Sequence, residues 1–286
     1  MSVNFSVNNN SAASNILQNL YYVQNQVNTS YAQLSSGNRI NTAADDPAGF
    51  AISQQMQQNV NGLNTAVQNA QNGISLIQTA TGAMQQVGNI LQTLNTLAVE
   101  AANGTQNSAD LNNLQQEWTQ LTSQMDNITN QTQFNNIYLF TAKDATGASV
   151  SNSLGGGVTL QIGANYSQTI NFSTNKIDAT DLGLTSSVGI SSQTSAQTAI
   201  SVVASAISQL TNYEAQLGAY QNQLNYTISN LQSTATNLQN AQSTMTNTNM
   251  AQAYTTFTQE QVLTQVGTAM LSQAQQQPAA ILKLLS

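Results

Sequence analysis

A long heptad pattern in the second half of the chain constrains the fold more than any other sequence feature. Its apolar residues recur at alternating steps of three and four or at multiples of seven, which predicts one long coiled-coil-like helix. The stripe consists of Ile200, Val203, Ile207, Leu210, Leu217, Leu224, Ile228, Leu231, Ala235 and Leu238. Glu214 and Gln221 also lie on it, and both are tolerable near the edge of a helical bundle.

The first half of the chain carries two further stripes. One predicts a helix over about residues 52–102 and consists of Met56, Leu63, Ala70, Ile77, Met84 and Leu91. The other follows a break at Asn103-Gly104 and consists of Leu111, Leu114, Trp118, Leu121, Met125 and Ile128. A short loop between two amphipathic helices predicts an antiparallel hairpin. Four glycines interrupt the longer helix, which therefore needs tertiary packing and allows close approach of its neighbours: Gly62, Gly73, Gly82 and Gly88.

The pattern changes between about residues 132 and 195. Residues 158–162 and 169–172 alternate apolar and polar side chains, as short strands do. Residues 143–147 and 155–157 have the composition of turns. This segment predicts a small β-rich insertion between two helical halves, so the fold class is mainly α, a long antiparallel coiled-coil-like bundle.

Both ends of the chain carry weaker amphipathic stripes. We interpret them as polymerisation residues on paired terminal helices: Leu17, Leu20, Val27, Tyr31 and Leu34 near the N-terminus, and Met250, Tyr254, Phe257, Val262, Val266 and Met270 near the C-terminus. A lone helix of this kind is marginal in water. We therefore expect the ends to be largely unfolded in a free monomer and to order against partner molecules.

The composition excludes several classes of function. Charged residues make up only 5% of the chain, with 4 Lys and Arg and a net charge of −7. Such a chain cannot present the basic face that nucleic acids or anionic membranes require. It has no cysteine and no histidine, which removes disulfides, thiolate chemistry, imidazole bases and almost all zinc sites. We expect no enzymatic activity, no metal and no cofactor.

Several blocks of the sequence resemble bacterial flagellins. They lie in the same order as in that family and occupy residues 34–53, 97–105, 131–135, 160–165 and 261–274, followed by Pro278 and a leucine-rich tail. Together these blocks are far more specific than a heptad pattern. The resemblance implies a structural subunit that self-assembles into the flagellar filament used for swimming.

The resemblance also implies a domain organisation and a cellular location. Residues 1–44 and 243–286 would form the terminal polymerisation domain that lines the inner tube. Residues 45–242 would form the rod domain, with the insertion on it. Export through the flagellar channel, uncleaved, would explain why no signal peptide is visible and would place the protein outside the cell. The partners implied are further copies of the chain, an export chaperone, the filament cap and hook-junction proteins.

Two other functions are compatible with parts of the sequence. A secreted coiled-coil adhesin or fibre would share the heptads, but it would not share the blocks at both ends. A hook–filament junction protein of the flagellum would have related ends and would assemble as a short ring. The match across the whole N-terminal half argues against the junction protein.

The densest charge cluster of the N-terminal third consists of Arg39, Asp45 and Asp46. Paired carboxylates can do acid–base chemistry, but no nucleophile or base accompanies these two. We interpret the cluster as a structural linker. The family usually has a basic residue where this chain has Ala44, so one salt bridge of the family would be missing.

The family resemblance also indicates an innate immune receptor surface, with Thr93, Leu97 and Glu117 among its positions. Thr93 stands where well-detected flagellins carry an important arginine, whereas Leu97 and Glu117 match the apolar and acidic anchors of those proteins. Arginine is a typical hot-spot residue of interfaces. We therefore expect weak binding to the receptor.

Overall fold

The computed structural model describes residues 10–140, 157–173, 176–185 and 187–285, with side chains through residue 276 of the last helix. The described residues form five α-helices and four short strands. In chain order these are α1 Ser11–Ser36, α2 Pro47–Ala101, α3 Ser108–Gln131, β1 Gln133–Phe134, β2 Ile137–Tyr138, β3 Val158–Gln161, β4 Thr169–Phe172, α4 Gln193–Thr246 and α5 Met250–Leu285. The prediction of a mainly α-helical chain with a small β-rich insertion is confirmed.

Contacts within the chain divide it into two compact units. The terminal unit consists of Met1–Gln58 and Asn237–Ser286, and the rod unit consists of Asn59–Thr236. Helices α1 and α5 belong to the terminal unit, so the expected pairing of terminal helices occurs within it. Each unit is described by itself below.

The core of the rod unit is built by the heptad positions of its helices. On α2 the fully or almost fully buried positions include Leu63, Ala70, Ile77, Met84 and Leu91. On α4 they include Val203, Leu210, Leu217, Leu224 and Leu231. Trp118 and Met125 of α3 join the same hydrophobic cluster. Burial of one such large side chain stabilises a fold by about 1.5–3 kcal/mol, so this core is a main source of the stability of the rod unit.

The insertion contains two antiparallel strand pairs. Strands β1 and β2 are joined by Asn135 and Asn136, whose φ angles of 48° and 64° fit the tight turn of a two-residue hairpin. Strands β3 and β4 pair from Val158 opposite Phe172 to Gln161 opposite Thr169. The two strands predicted within 158–162 and 169–172 are therefore confirmed. The predicted turn at 143–147, and most of the one at 155–157, lies outside the described residues.

The described residues between β4 and α4 form a loop, which is the last part of the insertion. Its apolar side chains Ile177, Leu182 and Ile190 are buried. The Asp126 carboxylate on α3 holds the loop by accepting the backbone N–H of Ala179 at 2.8 Å. Burial raises the pKa of Asp126, and the nearby Asp178 carboxylate raises it further, against the opposing effect of that hydrogen bond.

The β3–β4 hairpin packs directly on α2 where that helix carries glycines. A Cβ atom on Gly62 would lie 2.8 Å from the Cβ of Ala164 and 3.1 Å from its Cα. Asn69, one turn before Gly73, donates through Nδ2 to the carbonyl of Gln161 at 3.1 Å. The glycines that weaken α2 as an isolated helix therefore provide the space in which the hairpin docks.

Gly62 and Gly82 form a matched pair for testing this docking. We expect Gly62→Ala to lower the free energy of unfolding by about 1–3 kcal/mol, because the added methyl group meets Ala164, including its backbone. Gly82 lies in the same helix, where an added Cβ has no neighbour within 4 Å. Gly82→Ala should therefore raise the free energy of unfolding by about 1 kcal/mol. Urea denaturation followed by circular dichroism measures both, and stabilisation by Gly62→Ala would contradict the docking.

Candidate assembly surface of the terminal helices

Helices α1 and α5 pack against each other in antiparallel directions within the terminal unit. We call this pair the α1–α5 hairpin, although the two helices are not consecutive in the chain. Asn10 precedes α1, and its Nδ2 donates to the carbonyl of Ala274 at 2.8 Å. Farther along the pair, the rings of Tyr31 and Phe257 lie 6.5 Å apart between their centroids. Because Asn10 meets a late residue of α5 and Tyr31 an early one, the two helices run in opposite directions.

The seam between α1 and α5 combines a mainly apolar stripe on α1 with a stripe on α5 in which most side chains are small or polar. The least exposed positions of α5 are spaced by three and four: Ala253, Phe257, Glu260, Thr264, Gly267, Leu271 and Ala274. On α1 they are Ala13, Ile16, Leu20, Val23, Val27, Ser30 and Leu34. The Oε2 atom of Glu260 is buried without a hydrogen-bond partner among the described residues. Such an unpaired acceptor costs about 1–3 kcal/mol, so the seam holds the hairpin weakly.

Many large apolar side chains lie on the outside of the hairpin. Among the described side chains of the two helices, ten are between 37 and 66% exposed: Leu17, Tyr21, Tyr22, Tyr31, Met250, Tyr254, Val262, Leu263, Val266 and Met270. Contiguous exposed apolar surface on a soluble protein commonly marks a protein or membrane interaction site. The outer faces of α1 and α5 are therefore the candidate assembly surface.

The exposed apolar residues of α5 wind around the helix. Met250, Tyr254, Val262, Val266 and Met270 lie at multiples of four residues from one another. Each step of four advances about 40° around a helix that turns about 100° per residue, so Met250 and Met270 face nearly opposite directions. One straight neighbouring helix cannot cover both ends of this row. The surface fits neighbours on more than one side.

The residues predicted for polymerisation therefore fall on two different surfaces. The outer surface contains Leu17, Met250, Tyr254, Val262, Val266 and Met270, whereas Leu20, Val27, Leu34 and Phe257 are half-buried at the seam. Tyr31 is 64% exposed although its ring meets Phe257. The sequence reasoning missed Tyr21, Tyr22 and Leu263 on the outside. It also missed the small seam residues of α5, whose heptad spacing becomes visible only when Ala, Gly and Thr are counted.

The linker between α1 and α2 contains Arg39, Asp45 and Asp46. Each of these three side chains binds backbone groups. The Asp45 Oδ2 accepts the N–H groups of Asn41 at 3.0 Å and Thr42 at 2.9 Å. These bonds, that of Thr42 foremost, hold the pKa of Asp45 below its ordinary value. Arg39 does not bind this turn through its guanidinium but donates through Nη2 to the carbonyl of Met245 at 2.9 Å.

The Asp46 carboxylate supports the start of α2. Its Oδ1 accepts the N–H of Gly49 at 2.9 Å, which satisfies a free donor in the first turn. Pro47 is the first residue of α2, a position that needs no N–H. Gly49 has no space for a side chain, because a Cβ there would contact the Asp46 carboxylate and lie 2.9 Å from Ile40 Cδ1. These local constraints account for the sequence Asp46-Pro47-Ala48-Gly49.

The residues of the expected receptor surface lie in the rod unit. Thr93 and Glu117 are exposed, on α2 and α3. The Thr93 hydroxyl donates to the carbonyl of Asn89 at 3.0 Å, within its own helix. Leu97 is only 7% exposed and packs in the hydrophobic cluster, so Thr93 and Glu117 are the members of the set that a partner can reach.

Within the part of the chain that the structure describes, no cluster of three or more acidic residues is arranged to hold a metal ion. In the same ranges, no helix has enough length and apolar character to span a bilayer. The most distinctive surface of the terminal unit is thus the apolar exterior of the α1–α5 hairpin.

Known families account for most of the sequence. Residues 7–145 match the bacterial flagellin N-terminal helical region, and residues 200–285 match the bacterial flagellin C-terminal helical region. A flagellin from Halalkalibacterium halodurans is 38% identical over 280 residues, which cover 98% of this chain and 99% of that relative. The chain belongs to the bacterial flagellin family. The resemblance inferred from the sequence blocks is therefore confirmed.

Longer members of the family match only in part. A flagellin from Clostridium tyrobutyricum is 43% identical over 176 residues, which cover 59% of this chain and 44% of that relative. The matching region thus spans less than half of that longer flagellin, whereas it spans almost all of the one from Halalkalibacterium halodurans.

The fold also occurs elsewhere in the flagellum. A provisionally assigned flagellar hook-associated protein from Vibrio parahaemolyticus superposes with a TM-score of 0.57 over 70% of this chain and 99% of that protein. The two share only 11% sequence identity, so this likeness concerns the fold alone.

Membership of the flagellin family makes the chain a structural subunit of the flagellar filament. The family is a structural one and is not known for enzymatic activity. The expectation of a filament subunit is confirmed, and neither the junction protein nor the adhesin is favoured.

Proposed function

We propose that this subunit polymerises through the outer faces of its α1–α5 hairpin, with neighbours on more than one side. The observation that carries this proposal is the row of exposed apolar side chains that winds around α5 from Met250 to Met270. A two-fold dimer uses a single self-complementary patch. Contacts on several sides that do not close into a ring instead extend an assembly helically without limit.

The weak seam explains why the hairpin needs those neighbours. The α5 side of the seam has Ala253, Gly267 and Ala274 beside only two large apolar residues, Phe257 and Leu271, while Val262 and Val266 remain exposed. Ordering a residue costs about 1.5 kcal/mol in conformational entropy, which small side chains at a seam offset poorly. The two terminal helices are largely unfolded in a free monomer and gain their order by burying the outer surface in the filament.

We assign residues 1–44 and 243–286 to a polymerisation domain that lines the inner tube, and residues 45–242 to a rod domain with an insertion at about 132–195. The support comes from the positions of the helix ends. The boundary at residue 44 lies in the linker between α1 and α2. The boundary at residue 243 lies close to the break between α4 and α5. The described strands all fall inside the insertion.

The weak hairpin also fits a route of export. A subunit whose ends are unfolded can pass through the flagellar channel without a cleaved signal and order outside the cell. We infer an export chaperone, the filament cap and the hook-junction proteins as its partners, together with other copies of the chain. Family membership supports the other copies of the chain as partners, and the other three follow from the proposed route of export.

Truncation tests the assembly proposal. We expect removal of residues 1–34, or of residues 250–286, to leave a helical monomer that no longer polymerises, because either deletion removes one half of the hairpin. Circular dichroism measures the remaining helix, and negative-stain microscopy at high protein concentration measures polymerisation. The unaltered chain is the control and should form long filaments. Short rings or closed trimers from the unaltered chain would instead favour a junction protein or a fibre.

A second proposal concerns recognition by the innate immune receptor for flagellin. The exposed Thr93 offers a hydroxyl that is already bonded to Asn89, whereas an arginine would offer a fork of donors and an apolar stem. Loss of such an anchor commonly costs at least about 2 kcal/mol, or roughly thirtyfold in affinity. We therefore infer weak recognition of this subunit.

Thr93→Arg should restore recognition by roughly tenfold or more, as measured by titrating monomer on receptor-expressing reporter cells. Thr79→Arg is the matched control. Thr79 is an exposed threonine of the same helix, and its hydroxyl bonds the carbonyl four residues earlier in the same way. Recovery with Thr79→Arg, or strong signalling by the unaltered monomer, would contradict the role of position 93.

A further inference from the structure

In the terminal unit, the segment that follows α1 is hydrogen-bonded to the segment that follows α4. Helix α1 ends before Gly37, which has a φ of 74°, and helix α4 ends at Thr246. The N–H of Arg39 donates to the carbonyl of Thr246 at 2.6 Å, and the N–H of Thr248 donates to the carbonyl of Gly37 at 3.0 Å. Between them Asn38 forms an isolated antiparallel bridge, so the segments that follow α1 and α4 are tied side by side.

Asn38 bridges to Asn247, and the neighbouring Arg39 side chain strengthens the same junction. Its Nη2 donates to the carbonyl of Met245 at 2.9 Å, in the last turn of α4. That turn carries no basic residue of its own, so the cation at this helix end comes from the other segment. Gln33 of α1 donates through Nε2 to the carbonyl of Arg39 at 3.2 Å. Arg39 therefore connects α1, the linker and the end of α4.

The α1–α5 hairpin begins at this junction and must keep one register along its whole length. The two helices remain paired as far as the contact between Asn10 and Ala274. The seam specifies that register only in part. On α5, a slip of seven residues replaces Gly267 by another small or polar residue, Glu260 or Ala274, and only Phe257 and Leu271 would give way to the smaller Thr264.

We propose that Arg39 is a positioning residue that fixes the register in which the terminal segments pair during polymerisation. The proposal rests on the assembly function proposed above. The junction around Arg39 forms a fixed starting point, and α1 and α5 pair outward from it as neighbouring subunits cover them. Without the guanidinium, the carbonyl of Met245 loses its cationic donor and only the backbone bonds hold the junction, so the hairpin can pair one heptad out of place more readily.

Cysteine crosslinking measures this register directly, since the chain has no cysteine of its own. Leu20→Cys with Gly267→Cys reports the native register, because the two positions face each other across the seam: a Cβ on Gly267 would lie 3.1 Å from Leu20 Cδ1. Leu20→Cys with Glu260→Cys or Ala274→Cys reports a slip of one heptad in either direction. A disulfide needs its Cβ atoms about 3.5–4.5 Å apart, and a slip of seven residues moves them by about 10 Å.

Each cysteine pair is placed in the unaltered, Arg39→Ala and Arg39→Lys backgrounds and copolymerised as a minor component with excess cysteine-free subunit. The register is then measured inside a filament that forms normally. The critical concentration for polymerisation is measured separately for the single variants. Lys176→Ala is the control for charge, because it removes one of the four basic residues from the rod unit.

We expect Arg39→Ala to shift crosslinking from the native towards the slipped pairs and to raise the critical concentration about fivefold. Arg39→Lys keeps the charge and should fall between the two. Thermal unfolding of the rod helices should be unchanged, which separates positioning from a general structural role. Lys176→Ala should leave both the register and the critical concentration unchanged.

The proposal is wrong if Arg39→Ala keeps the native register and a critical concentration within about twofold of the unaltered chain, a difference of only about 0.4 kcal/mol. Equal losses in Arg39→Ala and Lys176→Ala would also overturn it, because they would indicate a general effect of charge. In both cases the proposed assembly function stands as long as the unaltered chain forms filaments. Failure of the unaltered chain to polymerise would reject that function together with the role of Arg39.

Discussion

Weak packing between α1 and α5 is the constraint that couples the order of these helices to filament assembly. Their seam places Ala253, Gly267 and Ala274 inside, while Val262 and Val266 remain outside. A hairpin of this composition gains only part of the possible burial by forming alone, because many of its large apolar groups stay in water. It gains much when neighbouring copies cover them. The terminal helices α1 and α5 therefore become ordered at the same time as the filament assembles.

The rod unit, in contrast, buries its large apolar side chains within the chain. Side chains such as Ile77, Leu91 and Leu224 are fully buried within the chain, and Gly62 lets the β3–β4 hairpin pack closely on α2. This unit is therefore a preformed body that can fold before assembly begins. The low charge of the chain suits both units, since copies with only 4 Lys and Arg can approach each other with little need to pair or desolvate charges.

The sequence predicted the rod better than the ends, for a physical reason. In the rod, large residues such as Leu210 and Leu217 coincide with buried positions, so the heptad stripe identifies the core. In α5, most large residues mark the exposed face, and the seam consists of small or polar residues together with Phe257 and Leu271. The stripe through Val262 therefore indicates a partner surface and not the intramolecular contact. Arg39 illustrates a second limit. Its binding to Met245 depends on the approach of two breaks that are far apart in sequence.

Hydrogen exchange of the same chain as monomer and as filament tests the central claim most directly. We expect fast exchange across α1 and α5 in the monomer, with slow exchange in the rod helices between about residues 60 and 235. In the filament, exchange in α1 and α5 should become slow while that of the rod changes much less. Slow exchange of both terminal helices in the monomer would show that the hairpin is stable without neighbours and would contradict the account.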